Sequence, residues 1–154
     1  MKITPVTDAN SHIYHNLVQY YEAEFSPITG KKPNASGLFE LDTRLGDDTL
    51  GFLLIIDDLP AGIAAICSKE ARAYEVCEFY ILPYFRKNTV GMRFAHTIWK
   101  NYPGKWEIKQ IRGAEYATVF WRKTIEHFDE TVYTEASYDD PYWGVVTRQQ
   151  FTVN

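Results

Sequence analysis

The chain contains few cysteines and no long hydrophobic run. Its 154 residues include two cysteines, Cys67 and Cys77, whose spacing does not match a metal-ligand motif. We expect both to be small buried thiols rather than a disulfide or a catalytic cysteine. A membrane-spanning run and a charged-then-apolar leader are both missing, so we expect a soluble, cytoplasmic protein with no membrane partner.

The chain also lacks an excess of positive charge. Its 16 Lys and Arg against 20 Asp and Glu give a net charge of −4. Because nucleic-acid binding needs a concentrated cationic face, we expect no nucleic-acid partner, whereas a cationic amine is compatible with this charge. The four histidines show no arrangement typical of a metal site or catalytic triad, so we expect solvated or capping roles and no metal. They are His12, His15, His96 and His127.

The length and the aromatic content favour one folded core. A chain of 154 residues is long enough to bury such a core, and we expect a single domain over residues 1–154. The 11 Tyr, 9 Phe and 4 Trp exclude a disordered or low-complexity chain.

Hydrophobic periodicity predicts the order β-α-α-β-β-β-α-β-α-β-β. Thr7-Asp8 is a plausible cap for the first helix, which should end before Pro27, and Asp57–Pro60 is typical of a hairpin turn. This order predicts an α/β domain with a mixed sheet. The predicted strands are 2–6, 50–56, 61–68, 74–82, 104–111, 131–137 and 143–153, and the predicted helices are 13–26, 38–45, 88–102 and 114–128.

The segment 78–95 has the most informative pattern in the chain. An apolar strand ends at Leu82-Pro83, the basic loop Arg86-Lys87-Asn88 follows, and a helical pattern then begins. The first amides of a helix have no partner within it, and together with the helix dipole they favour a bound phosphate. An ordinary strand-to-helix connection with solvated basic residues remains an alternative.

This segment resembles motif A of the GNAT superfamily of N-acetyltransferases, in which the loop Arg/Gln-x-x-Gly-x-Gly/Ala grips acetyl-CoA. Residues 86–91 fit that pattern, with Thr89 where the first glycine is expected. Residues 104–111 and 114–125 resemble the next strand and helix of the family. In that helix Ala117, Phe120 and Trp121 match the family pattern, and Ala114 replaces an asparagine.

The resemblance implies an α/β (α+β) fold with a central, mixed and mostly antiparallel sheet of about seven strands and about four helices. It also implies an acetyl-CoA-dependent N-acetyltransferase that acts on a primary amine of a small molecule or protein, by direct attack in a ternary complex. CoA is then the product, and a homodimer is possible. A non-catalytic acyl-CoA-binding or protein-interaction module that retains the fold is the alternative, because Thr89 and Ala114 depart from the family pattern and Trp121 stands where many relatives have a tyrosine.

Eleven residues are the expected contacts for acetyl-CoA. The loop residues should bind the pyrophosphate through backbone amides and basic side chains, with Asn88 as the helix cap. In the family, the backbone of the preceding strand pairs with the pantetheine arm, a role that falls here on residues 79–82. The expected contacts are Phe79, Tyr80, Ile81, Arg86, Lys87, Asn88, Thr89, Val90, Gly91, Met92 and Phe120.

Glu78 is the expected catalytic base. A protonated amine with a pKa of about 10.4 must lose a proton before it can attack, and Glu78 corresponds to an acidic position often seen in the family. A structural ion pair or a carboxylate that attracts the substrate is the alternative, and Glu75 is a second candidate. Segments 26–37 and 138–143 are candidate acceptor walls, although a solvated turn also explains Asp139-Asp140. The general acid stays open among Tyr116, Tyr133, Tyr138, Tyr142 and water.

Overall fold

A computed structural model describes residues 1–154 as seven strands and three α-helices. The strands form one sheet in the order β1-β2-β3-β4-β5-β7-β6, in which β4 and β5 are parallel and the other registered pairs are antiparallel. The predicted mixed α/β fold is therefore confirmed, with three helices rather than about four. The elements are β1 Lys2–Pro5, α1 Ser11–Thr29, β2 Thr49–Ile56, β3 Leu59–Glu70, β4 Ala73–Ile81, a short 3-10 helix Pro83–Phe85, α2 Val90–Asn101, β5 Gly104–Ile111, α3 Glu115–Glu126, β6 Tyr133–Asp140 and β7 Gly144–Val153.

Helix α1 continues past Pro27, so the predicted end before that residue was wrong. A proline has no N–H for the carbonyl four residues earlier, which here is that of Ala23. The Ser26 hydroxyl donates to this carbonyl at 2.7 Å, so the lost hydrogen bond is replaced. The helix then ends at Gly30, whose φ of 73° suits a left-handed cap. None of the helices combines the length and the apolar composition needed to cross a bilayer.

The second predicted helix, 38–45, is absent. The backbone of Phe39 is instead bonded to the Gln19 side chain, with N–H to Oε1 at 2.8 Å and Nε2 to the carbonyl at 3.0 Å. The N–H of Leu38 is bonded to Asn34 Oδ1 at 3.1 Å. Because these side chains take backbone groups that a helix would pair internally, the segment stays irregular.

Strands β2 and β3 form the predicted hairpin, joined by Asp57 and Asp58 with φ of 50° and 61°. Two successive left-handed residues suit the tight turn that matches strand twist. Farther along, Cys67 on β3 and Cys77 on β4 form a disulfide with a Cα–Cα distance of 6.3 Å. The expectation of two free thiols was therefore wrong, because β3 and β4 are neighbours in the sheet and the two cysteines come close together on them.

The chain divides into two compact units, the first formed by residues 1–67 and 77–91. In this unit helix α1 packs its apolar face on the sheet. Tyr14, Leu17 and Val18 recur at helical spacing and meet Leu53 and other buried sheet residues. Leu41 and Leu45, from the irregular segment, pack against this cluster.

The second unit comprises residues 68–76 and 92–154. Its core is built around Trp99, which is 1% exposed and contacts the rings of Trp106, Trp121, Phe128 and Phe151. Trp121 is 5% exposed, so this position, which matches the family pattern, is a core position here. Burial of such large rings dominates the stability of a small core.

Candidate functional site

Strand β4 leads directly into the candidate phosphate loop. Its registered parallel pairs with β5 run from Ala73–Lys105 to Val76–Ile108. The remaining residues of β4, Cys77–Ile81, belong to the first unit and precede the 3-10 helix Pro83–Phe85. Glu78, the strand residues 79–81 and the loop 86–91 thus lie on one continuous stretch of chain in that unit.

The loop has an unusual backbone at the position where the family pattern has its first glycine. Asn88 and Thr89 both have positive φ, at 54° and 57°. Asparagine tolerates this left-handed conformation, whereas a β-branched threonine rarely adopts it. The Thr89 hydroxyl donates to the Asn88 carbonyl at 2.7 Å, and α2 begins at Val90. Thr89 therefore directly precedes the helix.

The start of α2 offers donors for an anion. The Val90 N–H is bonded to the Lys87 carbonyl at 3.2 Å. By helix geometry, the amides of Gly91 and Met92 lie in the first turn and have no partner within the helix. The exposed Lys87 places its Nζ 5.0 Å from the centroid of the Tyr84 ring, a cation–π distance.

Arg86 is fixed by groups of its own unit rather than mobile. Its Nε donates to the Ile81 carbonyl and its Nη2 to Glu24 Oε2, both at 2.7 Å. Its guanidinium also lies 5.2 Å from the centroid of the Tyr80 ring. Arg86 thus ties the end of β4 to helix α1, and both Arg86 and Lys87 are exposed cations of the loop.

The other expected contacts differ in burial. Tyr80 and Ile81 are 5% and 7% exposed, whereas Phe79 is partly buried. Tyr80 packs against the Tyr21 ring of α1 with centroids 5.8 Å apart. Phe120 lies on α3 in the second unit and contacts Trp121. The phosphate loop and the strand residues are thus brought together in one unit, and Phe120 is placed in the other.

Glu78 is a buried carboxyl group in an apolar setting. It is 4% exposed, and its Oε2 has no hydrogen-bond partner in the protein. Burial, together with the carboxylates of Glu22 and Asp42, raises its pKa to about 7, against hydrogen bonds from Thr43 and Tyr21 that lower it. A carboxyl group with this pKa can accept a proton near neutral pH.

Tyr14 is a buried neighbour of Glu78 that the sequence analysis did not single out. Its side chain is 1% exposed, and its hydroxyl has no hydrogen-bond partner in the protein. Burial raises the pKa of Tyr14, and the charge of Glu78 raises it further, so the phenol stays protonated. A tyrosine on the apolar stripe of α1 could have indicated this, because a buried hydroxyl normally needs a partner.

A second missed group connects α1 to the irregular segment. Glu22 is 2% exposed and lies on the stripe that begins with Tyr14, and its Oε2 is 2.9 Å from Lys31 Nζ. Asp42 Oδ2 lies 2.6 Å from the same nitrogen. A charged residue at helical spacing with apolar residues was the available signal, since a buried carboxylate requires a cationic partner.

The remaining candidates have structural partners. Glu75 bonds to Lys69 at 2.6 Å and to Lys109 at 3.2 Å, which is a structural ion pair. Asp140 accepts the N–H groups of Tyr142 and Trp143 at 2.8 and 2.9 Å, so its carboxylate stabilises the turn between β6 and β7. Among the candidate acids, Tyr133 donates to Glu126, Tyr138 contacts Arg148, Tyr142 contacts Trp143, and Tyr116 is 57% exposed.

A groove of about 550 Å³ in the second unit is separate from these residues. Charged and aromatic side chains line it, among them Lys69, Tyr74, Lys105, Glu107 and Tyr133. Neither Glu78 nor the loop 86–91 contributes to its lining. The candidate site is therefore placed at Glu78 and the loop that follows β4, and not in this groove.

The loop and the first turn of α2 fit the pyrophosphate of a coenzyme A thioester. An anion there would meet helix amides and the Lys87 ammonium, which is the donor set that phosphate groups prefer. The Thr89 side chain is exposed, so it lies in the loop rather than in the core.

No protein-family model and no curated protein sequence matches the chain. Solved structures do resemble it. A candidate acetyltransferase of the GNAT family from Bacteroides thetaiotaomicron is 18% identical with a TM-score of 0.68, over 100% of this chain and 88% of that one. The aminoglycoside 6'-N-acetyltransferase from Enterococcus faecium is 11% identical with a TM-score of 0.67, over 100% and 98%.

A third solved structure contains the expected ligand. It is a candidate streptothricin acetyltransferase from Bacillus anthracis in complex with acetyl coenzyme A, 11% identical with a TM-score of 0.58, over 75% of this chain and 72% of that one. At such identities the likeness concerns architecture. The chain therefore has the fold of GNAT-type acetyltransferases.

Proposed function

We propose that the protein is an acetyl-CoA-dependent N-acetyltransferase that acetylates a primary amine of a small molecule or a protein. The observation that carries this proposal is that one strand connects a buried carboxyl group with a pKa of about 7 to a basic loop at a helix N-terminus. The first group suits proton removal from an amine, and the second suits a pyrophosphate. The GNAT-type fold supports the same combination.

The loop residues would hold acetyl-CoA through its phosphates. The amides of Gly91 and Met92 and the Lys87 ammonium are the proposed donors, while Arg86 holds the end of β4 in place through the Ile81 carbonyl. The backbone of Phe79 and Tyr80 is the proposed partner of the pantetheine arm. When bound, acetyl-CoA supplies the thioester carbonyl that the amine attacks, and CoA leaves as the thiolate.

Glu78 acts as the general base in this proposal. A free amine with a pKa of about 10.4 is almost fully protonated at pH 7 and cannot attack. The Glu78 carboxylate accepts the proton, directly or through water, because its pKa of about 7 leaves much of it charged at neutral pH. The unpartnered Oε2 is the proposed acceptor atom, and the buried Tyr14 hydroxyl, which stays protonated, also has no hydrogen-bond partner in the protein.

A second candidate function is a module that keeps the fold and binds acyl-CoA without catalysis, since the loop departs from the family pattern at Thr89. Thr89 places a branched side chain in the left-handed position that the family pattern gives to glycine. A side chain there keeps a phosphate farther from the backbone and weakens binding. Retained binding without turnover of any amine would support this second function.

The deciding experiment combines calorimetric titration with acetyl-CoA and CoA with a thiol-release assay over a panel of amines. We expect micromolar binding and thiol release with at least one amine. Glu78→Gln should lower turnover by about a hundredfold or more, the usual worth of a general base, without changing the Kd of acetyl-CoA.

Glu75→Gln is the matched control for the turnover measurement. It removes a carboxylate from the same strand, where Lys69 and Lys109 already pair with it, so turnover should stay near normal. Near-normal turnover of Glu78→Gln would instead remove Glu78 from the mechanism. A protein that binds neither acetyl-CoA nor CoA would contradict the proposed function as a whole.

A further inference from the structure

Arg86 connects the candidate phosphate loop to two other elements of its unit. Its Nε donates to the Ile81 carbonyl at the end of β4, and its Nη2 donates to Glu24 Oε2 on helix α1, both at 2.7 Å. The loop residues that follow it, 87–89, are exposed. The attachment of the loop to the sheet and to α1 therefore depends on this one side chain and on the two groups that accept its hydrogen bonds.

Glu24 lies on a face of α1 that packs beside the end of β4. It shares this face with Tyr21 and Phe25, because residues three and four apart are neighbours on a helix surface. The Tyr21 ring contacts the rings of Phe25 and Tyr80, with centroids 4.7 and 5.8 Å apart. The Arg86 guanidinium lies 5.2 Å from the centroid of the same Tyr80 ring. The Glu24 carboxylate thus approaches Arg86 from a packed helix and not from a loop.

The guanidinium keeps donors for an anion while it makes these contacts. Arginine has five N–H donors, of which Ile81 and Glu24 take one each. The Arg86 side chain is 42% exposed, so the group can be reached from solvent. A guanidinium binds phosphate through a planar fork of donors, and an exposed arginine loses rotamer freedom when it does so. Contacts that already hold the plane in the free protein reduce this loss.

We propose that Glu24 is a positioning residue, which holds the Arg86 guanidinium in the orientation in which its remaining donors bind a phosphate oxygen of the coenzyme. This inference rests on the proposed binding of acetyl-CoA at the loop. Glu24 acts through Arg86 and does not itself contact the coenzyme. Its loss should therefore weaken coenzyme binding and leave the chemical step unchanged.

The negative charge of Glu24 has an effect of the opposite sign, because a carboxylate near the loop repels a polyanionic coenzyme. Two variants separate the two effects. Glu24→Ala removes both the charge and the acceptor of the Arg86 hydrogen bond, whereas Glu24→Gln removes the charge and keeps an acceptor oxygen. Alanine and glutamine are both good helix formers, so α1 should be retained in each variant.

We expect Glu24→Ala to raise the Kd of acetyl-CoA about fivefold, which is the upper range for an exposed ion pair. Glu24→Gln should stay within about twofold of the parent, because the retained acceptor rescues the orientation. The KM for acetyl-CoA should follow the Kd while kcat stays near the parent value, since an interaction made equally before and during reaction affects binding alone.

The test combines calorimetric titration with acetyl-CoA and with CoA, steady-state kinetics, and NMR of the arginine side chains in the protein without coenzyme. The Arg86 Nε–H signal is identified by its loss in Arg86→Lys. Its exchange with water should be slow in the parent and in Glu24→Gln, and faster in Glu24→Ala. Glu40→Ala is the matched control, since it removes an exposed carboxylate from the same unit, and it should change neither the Kd nor the exchange rate.

A double-mutant cycle shows whether Glu24 acts through Arg86. In an Arg86→Gln background, Glu24→Ala should no longer raise the Kd of acetyl-CoA. An unchanged Kd in Glu24→Ala alone would overturn the proposal, and so would equal tightening in Glu24→Ala and Glu24→Gln, which would make Glu24 a repelling charge only. Either result with coenzyme bound by the parent leaves the proposed function intact. A parent that binds neither acetyl-CoA nor CoA would instead contradict the proposed function and this inference together.

Discussion

Replacing Glu78 with glutamine should make the folded protein more stable above neutral pH. A pKa raised from 4.5 to about 7 means that the folded state holds a proton that the unfolded state has already released. Stability therefore falls as pH rises from about 4.5 to about 7 and is constant above that range. Each pKa unit corresponds to about 1.4 kcal/mol, so Glu78 costs the folded protein about 3 kcal/mol at pH 8.

Urea denaturation followed by tryptophan fluorescence measures this effect, because the core rings of Trp99, Trp106 and Trp121 are buried. The useful quantity is the free energy of unfolding of Glu78→Gln minus that of the parent at each pH. Other titrating groups cancel in this difference. We expect it to grow by about 3 kcal/mol between pH 4.5 and pH 8, with a slope of about 1.4 kcal/mol per pH unit.

Glu135→Gln gives the opposite control. A hydrogen bond from Arg122 holds the pKa of Glu135 below its usual range, with help from Gln149, so its carboxylate stabilises the folded state above that range. This variant should lose stability at neutral pH and recover relative to the parent in acid. A difference for Glu78→Gln that stays flat from pH 4.5 to pH 8 would refute the environment described for Glu78.

Two further predictions concern the loop and the cysteines. Thr89→Gly should stabilise the fold by about 1 kcal/mol by removing a branched side chain from a left-handed position, and should tighten or leave unchanged the Kd of acetyl-CoA. Asn88→Gly is its control, since asparagine already tolerates that conformation, and a marked loss of affinity in Thr89→Gly would identify the hydroxyl as a ligand. For the Cys67–Cys77 disulfide, a thiol assay in denaturant should find no free thiol without reductant and two after reduction. Cys67→Ser should lower the free energy of unfolding by about 3 kcal/mol, and two thiols before reduction would contradict the bond.

The regular elements of the fold were largely predictable from the sequence. The strand 104–111 was predicted with the bounds that β5 has, and the Asp57-Asp58 hairpin signal identified the turn between β2 and β3. Both depend on local patterns, alternating burial in one case and turn-forming residues in the other. The order of the elements then followed, except for one helix.

The errors arose where tertiary contacts compete with local preference. The segment 38–45 has helical spacing, but Gln19 takes the backbone groups of Phe39 across a separation that periodicity does not reveal. Pro27 was expected to end α1, but the Ser26 hydroxyl replaces the missing donor. In both places a side chain forms the hydrogen bond that a backbone group would otherwise form. A pattern of apolar residues does not predict such a hydrogen bond.

The candidate site was predictable only along the strand and the loop. Glu78 and residues 86–91 lie close together in sequence, so a single motif identified them. Tyr14, Glu22, Lys31 and Thr43 come from a helix and an irregular segment far away in the chain, and only the fold brings them to Glu78 or to its neighbours. The environment of the base therefore could not be read from its own strand.

Glu78 and Thr89 lie on one short stretch of chain, and each is unfavourable for folding. Glu78 is a buried carboxyl group, and Thr89 is a β-branched residue with a positive φ. A glutamine at position 78 avoids the charge cost of about 3 kcal/mol above neutral pH, so a role in structure alone does not explain the carboxyl group. A glycine at position 89 would avoid backbone strain and let a phosphate approach more closely, so we expect threonine there to lower the affinity for acetyl-CoA. The first cost supports catalysis and the second supports weak cofactor binding. Together they favour an acetyltransferase with low acetyl-CoA affinity over a binding module, because a module would need the loop more than the base.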